Sequence, residues 1–298
     1  MEIKKLFDRA DILLERVEKL LANPQPSATL RPEEAIAYRW RRNTHGEGRL
    51  QAVHQTHPLK LSDLHGIEAQ KQTLLLNTQQ FIRGFPCNNA LLWGARGTGK
   101  SSLVKALLNE YADQGLRLIE VDAHDLVDLT DIVAPLARSK NRYLLFVDDL
   151  SFSEGDPSYR VLKAVLDGSI AVAPENVVIY ATSNRRHLMP EMLKDNQETQ
   201  HVEGEIHPGE SVEEKVSLSE RFGIWLSFLP FKQEDYLSIV SHWLQALDGG
   251  ELTEQVRTAA LQWALRRGSR SGRIAQQFAH DWVGKQKLQE STRKHPED

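Results

Sequence analysis

The chain has 298 residues, of which 40% are hydrophobic and 26% are charged, so it can form one large domain or two modest ones with a buried core. Its 37 lysines and arginines against 41 aspartates and glutamates give a formal net charge of −4, which argues against bulk electrostatic capture of nucleic acid. The single Cys87 excludes an internal disulfide framework and a cysteine-only zinc site, and no run approaches the roughly 18 apolar residues that a membrane span requires. We therefore expect a cytoplasmic protein with no membrane segment.

The first sixty residues are predicted to be an N-terminal helical extension. Apolar side chains recur three or four positions apart from Ile3 to Leu20, which is typical of a helix that either packs on its own domain or self-associates. A second short helix is predicted from near Glu33, and it interleaves aromatic and basic residues: Tyr38, Arg39, Trp40, Arg41 and Arg42. These could stack on bases and bind phosphates, or could form a buried aromatic face and a solvated charged face. Residues 43–60 are predicted to be a polar connection.

From residue 61 onward, short apolar runs alternate with helical patterns. The runs cover residues 90–93, 116–121, 143–147 and 177–181. Strands and helices that alternate at this spacing predict a parallel sheet with helices on both faces, which is an α/β fold. We expect this domain to span residues 61–232.

Two segments depart from that alternation. Residues 188–220 contain nine acidic residues against Lys194 and Lys215, so we predict a mobile acidic loop there. His201 and His207 lie in it and could bind a metal with the nearby carboxylates, but exposed histidines without a metal are the simpler interpretation. After Phe231 the apolar spacing is helical, which predicts a C-terminal helical domain over residues 233–298.

The strongest chemical signal is a glycine-rich segment that follows the first apolar run. Residues 94–101 match G-x-x-x-x-G-K-[ST], a loop whose backbone N–H groups wrap around phosphates while its lysine supplies a positive charge and its serine a magnesium ligand. The helix that follows adds a favourable dipole toward anions. The residues that we expect to contact a nucleotide here are Gly94, Ala95, Arg96, Gly97, Thr98, Gly99, Lys100, Ser101 and Ser102.

Two further apolar runs also end in polar residues. Residues 143–147 are followed by Asp148 and Asp149; we expect Asp148 to hold Mg²⁺ together with Ser101, and Asp149 to orient and deprotonate the attacking water. Residues 177–181 lead to Asn184, which either reaches the γ-phosphate and the lytic water or caps a helix.

These three motifs, followed by a helical C-terminal domain, resemble the AAA+ ATPases from about residue 61 to about residue 285. The resemblance implies that Asn184 is the family's sensor 1 residue. Residues 218–223 resemble its arginine-finger segment, so Arg221 would reach the nucleotide of a neighbouring subunit, with Arg185 and Arg186 as competitors. Residues 268–275 resemble its sensor 2 segment, in which Arg273 is a better match than Arg270.

The same resemblance implies a fold and a set of ligands. It implies a three-layer αβα core with a five-stranded parallel sheet in the order 5-1-4-3-2, a helical lid, and binding of ATP/ADP with Mg²⁺. Residues 61–67 are similar to the family's adenine-side segment, so His65, Gly66 and Ile67 would contact the base. More narrowly, residues 89–100, 148–152 and 181–188 resemble the bacterial DUF815 family of AAA+ ATPases, which brings no substrate with it.

The biological role stays open between three hypotheses. The first is ATP-driven remodelling of an unknown protein partner, by a homo-oligomer or an assembly with a partner ATPase. The second is a nucleic-acid-associated ATPase of the helicase-loader or initiator kind; basic residues exceed acidic ones 11 to 8 in residues 1–60 and 9 to 5 in residues 253–298, which permits such contact without arguing for it. The third is a nucleotide-dependent binding switch with slow turnover.

Overall fold

A computed structural model describes most of the chain. It covers residues 35–43, 46–153, 156–167, 174–184, 188, 200–202, 205–207 and 218–294. The helix predicted between Ile3 and Leu20, the arginines Arg185 and Arg186, and the greater part of the predicted acidic loop lie outside the described residues. Among the helices that are described, none has the length and apolar character needed to cross a membrane.

A seven-stranded sheet forms the centre of the molecule. Its strands are β1 (Ala37–Arg42), β2 (Gly48–Val53), β3 (Ala90–Gly94), β4 (Leu116–Glu120), β5 (Arg142–Val147), β6 (Val177–Ser183) and β9 (Ile224–Phe228). They lie in the order β2-β1-β4-β5-β6-β3-β9, and all neighbouring pairs are parallel except β1 and β2. A separate antiparallel pair, β7 (Gln200–Val202) and β8 (Glu205–His207), lies within the segment predicted to be a loop.

Helices cover both faces of the sheet. They are α1 (Glu68–Ile82), α2 (Lys100–Tyr111), α3 (Leu129–Val133), α4 (Pro157–Leu166), α5 (Gln233–Ala246), α6 (Glu254–Arg266) and α7 (Gly272–Lys294). Successive strand residues contribute to different hydrophobic clusters: Leu144 belongs to the cluster that includes residues of α1, α2 and the three C-terminal helices, whereas Leu145 belongs to the cluster that includes residues of α3 and α4. This alternation is what a strand buried on both faces requires.

The α/β fold class is confirmed, but the predicted strand count is wrong. The five predicted strands form the contiguous block β9-β3-β6-β5-β4, which is the predicted order 5-1-4-3-2, and β1 and β2 extend it beyond β4. The helix predicted from near Glu33 is therefore corrected to a strand over Ala37–Arg42, and the predicted polar connection over residues 43–60 contains a strand, Gly48–Val53. The aromatic–arginine alternation has a period of two, so Tyr38 and Trp40 point into the same buried cluster while Arg39 and Arg41 point away from it.

The arginines of β1 are held in ion pairs with β4 and the segment after it. Arg39 donates to Glu120 at 2.6 Å, and Arg41 Nη1 lies 3.4 Å from Asp122. Arg42 donates two hydrogen bonds to Asp128, at 2.7 and 2.6 Å, and thereby lowers the pKa of that carboxyl. Because these guanidinium groups are paired and the aromatic rings are buried, the hypothesis that this segment stacks on bases is wrong.

Gly48 provides a test of how tightly β2 packs on β1. A Cβ atom on Gly48 would lie 1.9 Å from the Trp40 ring, so Gly48→Ala must displace a buried indole that donates a hydrogen bond to Asp128. We expect the free energy of unfolding to fall by about 1–3 kcal/mol. The matched change Gly284→Ala, in α7 with open space around the added carbon, should raise it by about 0.5–1 kcal/mol. Denaturant titration followed by circular dichroism measures both, and a Gly48→Ala protein as stable as the parent would contradict the packing.

Candidate nucleotide-binding site

The glycine-rich loop joins β3 to α2 at the carboxyl edge of the sheet. Gly94 has φ 130°, and a Cβ atom there would lie 2.1 Å from the carbonyl oxygen of Phe228, so only glycine lets the loop leave β3 this close to β9. The Ala95 N–H donates to the same oxygen at 2.9 Å, and the Thr98 hydroxyl donates to the Ala95 carbonyl at 2.7 Å. The loop is therefore held by one hydrogen bond within it, from Thr98, and by one hydrogen bond to β9, at Phe228.

Lys100, the first residue of α2, points its ammonium group into the loop. Nζ donates to the carbonyl oxygens of Gly94 and Ala95, each at 2.8 Å, and to Asn184 Oδ1 at 3.2 Å. Burial lowers the pKa of Lys100, while the charges of Asp148 and Asp149 oppose that shift. The arrangement places a desolvated cation where a phosphate oxygen could replace main-chain carbonyls.

Ser101, Asp148 and Thr182 form a hydrogen-bonded group beside the loop. The Ser101 and Thr182 hydroxyls both donate to Asp148 Oδ1, at 2.6 and 2.5 Å. The Asp149 N–H in turn donates to Thr182 Oγ1 at 2.9 Å. A serine hydroxyl and a carboxylate oxygen this close together are the hard oxygen ligands that Mg²⁺ prefers, so the predicted pair Ser101 and Asp148 fits that ion.

The sequence prediction missed Thr182. Its hydroxyl donates to the Asp148 carboxylate and accepts the backbone N–H of Asp149, and the residue is only 1% exposed. The available signal was a polar residue at the end of an apolar strand. Its contact with the aspartates depends on the parallel pairing of β5 with β6, which sets Val147 opposite Ala181.

Asp149 is exposed and held on two sides. Its backbone has φ 52°, which is uncommon for a residue other than glycine. Asn184 donates an amide hydrogen to Asp149 Oδ1, and Arg96 Nη2 lies 3.9 Å from Asp149 Oδ2. Because Asn184 also accepts from Lys100, its amide connects the cation of the loop to the carboxylate that we expect to act as base.

These groups line one cavity of about 600 Å³. The predicted residues that line it are His65, Ile67, Arg96, Gly97, Thr98, Gly99, Lys100, Ser101, Ser102, Asp148, Asp149, Asn184 and Arg273. Gly66 and Ala95 lie next to lining residues in the chain, and Gly94 lies two positions before the lining residue Arg96. Arg221 is not part of the lining; its Nε donates to the carboxylate of Asp167, which follows α4.

Aromatic and apolar side chains also line the cavity. Trp243 and Phe231 line it, and neither was predicted. The His65 and His242 rings are 4.6 Å apart, and the His242 and Trp243 rings are 5.5 Å apart. Burial, with a further contribution from His242, lowers the pKa of His65 and so favours its neutral form. The cavity thus has a charged end that suits phosphates and a flat, weakly charged end that suits a heteroaromatic base.

The fold and this cavity are those of the AAA+ class of P-loop proteins. The chain belongs to the family described as "Protein of unknown function (DUF815)", whose model matches residues 33–286. Both resemblances that the sequence indicated are therefore confirmed.

Solved structures share the fold. A mutant of the Thermotoga maritima RuvB protein is 19% identical with a TM-score of 0.51, over 74% of this chain and 63% of that one. AMPPCP-bound DnaA from Aquifex aeolicus is 18% identical with a TM-score of 0.51, over 80% and 70%.

The matches to curated relatives cover a smaller share of those proteins than the matches to solved structures do. The replication factor C large subunit of Methanococcus vannielii is 25% identical over 178 residues, which are 58% of this chain and 36% of that protein. The corresponding subunit of Staphylothermus marinus is 36% identical over 76 residues, which are 25% and 17%. The chain therefore spans about a third or less of these relatives.

Thr182 provides a test of the site's geometry. Thr182→Val keeps the shape but removes the hydroxyl that bonds both the Asp148 carboxylate and the Asp149 backbone N–H, so we expect Mg²⁺-dependent ATP turnover to fall on the order of 10- to 100-fold. That range corresponds to losing a hydrogen bond to a charged group, about 1.5–3 kcal/mol. Steady-state rates measured over a Mg²⁺ titration test this.

Thr78→Val is the matched control. Thr78 is also a buried threonine, with its hydroxyl bonded to Leu74 O at 2.7 Å and within 2.9 Å of Tyr180 Oη, but it lies outside the cavity. We expect this variant to lose stability while its turnover per folded molecule stays at the parent level. Parent-like turnover and Mg²⁺ dependence in Thr182→Val would refute the positioning role.

Proposed function

We propose that this protein hydrolyses Mg·ATP and couples hydrolysis to the remodelling of a protein partner. The observation that carries the proposal is the convergence of Lys100, Ser101, Asp148, Asp149 and Asn184 on one cavity. A cation, two hard oxygen ligands, a carboxylate base and an amide that orients it are the groups that phosphoryl transfer to water requires.

Each residue has a distinct task in this proposal. Lys100 and the loop N–H groups bind the β- and γ-phosphates, and Ser101 and Asp148 hold Mg²⁺. The bound ion would neutralise phosphate charge. Asp149 accepts the proton of the water that attacks the γ-phosphorus, while Asn184 holds that carboxylate in place. Arg273 stabilises the charge that develops on the phosphate oxygens.

The base end of the cavity supports adenine as the preferred base. His65, Ile67 and the aromatic Trp243 line the cavity, and Gly66 lies between His65 and Ile67 in the chain. We propose that these residues surround the base of ATP or ADP.

A protein partner is preferred to nucleic acid because of the charge distribution. The net charge is −4, and the arginines Arg39, Arg41 and Arg42 are already paired with carboxylates. The second candidate is a nucleic-acid-associated ATPase, which the partial identity to replication factor C large subunits favours. A nucleotide-dependent binding switch remains the third, and it would be marked by tight ATP binding with very slow turnover.

Three single substitutions test the ATPase. Lys100→Ala should abolish ATP binding, because it removes the ammonium group from the phosphate loop. Asp149→Asn should bind Mg·ATP but turn it over at least on the order of 100-fold more slowly, the usual scale for losing a general base. Asp148→Asn should instead raise the Mg²⁺ concentration needed for half-maximal rate. Binding by calorimetry and phosphate release measure all three, and unchanged ATP affinity in Lys100→Ala would defeat the assignment.

The partner class is tested with the parent protein. ATP turnover measured with DNA or RNA over a salt series should show no stimulation, and affinity capture with ATP-loaded Asp149→Asn should enrich a protein that Lys100→Ala does not retain. Stimulation by nucleic acid that falls steeply with salt would favour the second candidate instead.

We further propose that Arg221 acts on the nucleotide of a neighbouring copy. It follows β6 in the chain, donates a hydrogen bond to Asp167, and is not among the residues that line its own cavity. An arginine that neutralises charge only in the transition state contributes little to ground-state binding. The proposal therefore requires a homo-oligomer.

A mixing experiment tests this role. Arg221→Ala should keep ATP affinity within a few-fold and lose most turnover, and adding Lys100→Ala protein should restore part of it, because a mixed interface joins an intact cavity to an intact arginine. Arg257→Ala, which removes another ion-paired arginine, should keep turnover near the parent level. Full activity in Arg221→Ala, or turnover per molecule independent of protein concentration, would contradict action between subunits.

A further inference from the structure

The beginning of α7 contacts the phosphate loop directly. The Gly272 N–H donates to the carbonyl oxygen of Gly97 at 2.9 Å. Ser271 is buried, and its Oγ lies 2.8 Å from where a Cβ atom on Gly97 would stand. The loop and the helix therefore meet at van der Waals contact, and the absence of a side chain on Gly97 permits it.

Ser271 also determines where α7 begins. Its Oγ accepts the N–H of Ile274 at 3.3 Å, and its carbonyl accepts the N–H of Ala275 at 3.0 Å. A serine that accepts the N–H three positions later is an N-cap, and it satisfies a donor that the first turn would otherwise leave unpaired. Arg273 lies in that first turn and lines the cavity.

Phe231 provides a second contact at the same place. Its ring is close to both Gly66 and Gly272: Cβ atoms on these glycines would lie 3.0 and 3.8 Å from it. Phe231 is 7% exposed and stands just before α5. The start of α7 is thus held against the phosphate loop on one side and, through this ring, against the base-side segment on the other.

We propose that Ser271 is a positioning residue that holds Arg273 over the phosphates. By capping α7 while packing on Gly97, it sets the first turn of the helix relative to the phosphate loop. Small displacements of a group that stabilises transition-state charge are costly, on the order of 100-fold for about 1 Å. The inference rests on the proposed ATPase function. It assigns a positioning role to an uncharged residue that takes no direct part in the reaction at the phosphates.

The experiment compares two N-caps. Ser271→Ala removes the cap of α7. Thr253→Ala removes the cap of α6, where Thr253 Oγ1 accepts the Val256 N–H at a distance of 3.4 Å. Thr253 does not line the cavity. We expect both variants to lower the melting temperature. Only Ser271→Ala should reduce kcat, by roughly tenfold, and weaken binding of a non-hydrolysable Mg·ATP analogue by a few-fold. Equal effects of the two variants on kcat and on binding would overturn the proposal.

A double-mutant cycle with Arg273→Ala separates positioning from a purely structural role. If Ser271 acts through Arg273, Ser271→Ala should change neither kcat nor analogue affinity further in the Arg273→Ala background, whereas additive losses would refute the inference. The analogue-binding cycle does not depend on turnover. A parent protein that binds ATP without hydrolysing it would therefore disprove the proposed function, while the binding cycle would still decide the role of Ser271.

Discussion

The site depends on the parallel pairing of β3, β5 and β6. The carboxyl ends of parallel strands lie at the same edge of a sheet. Strand pairing alone therefore brings together the phosphate loop after β3, the aspartates after β5 and the polar end of β6. The hydrogen bonds from Ser101 and Thr182 to Asp148 are the direct result, since Ser101 follows β3, Asp148 follows β5 and Thr182 lies near the end of β6. A shift of β6 by one residue would turn Thr182 to the other face and break that group.

Several charged and polar side chains at this edge are hydrogen-bonded to one another. Lys100 is bound by main-chain carbonyls and Asn184, and Asn184 also binds Asp149. Such a network keeps a buried ammonium group satisfied and holds the carboxylate next to it. The same principle operates at the far edge, where Arg42 and Trp40 share Asp128 and so join β1 to the segment after β4.

The C-terminal helices complete the cavity because their apolar residues belong to the same hydrophobic cluster as one face of the sheet. Trp243 and Arg273 reach the cavity from α5 and α7. Glycines make the approach possible, since Gly97 and Gly66 leave room for Ser271 and Phe231. The helices therefore contribute both the aromatic face for a base and the cation for phosphates.

Local patterns in the sequence determined the phosphate loop, the paired aspartates and Asn184, because each is a short motif placed at the end of an apolar run. They also determined four strands of the core, each of which is an apolar run, whereas the fifth strand, β9, was expected only from the family resemblance. Only the tertiary structure decided the status of β1 and β2, since an alternation of aromatic and arginine residues becomes a strand when β4 and Asp128 are there to pair with it. Thr182, Trp243 and Ser271 were likewise decided by the fold: their importance comes from contacts with residues 33 or more positions away, or with the phosphate loop, and such contacts leave no mark on local spacing.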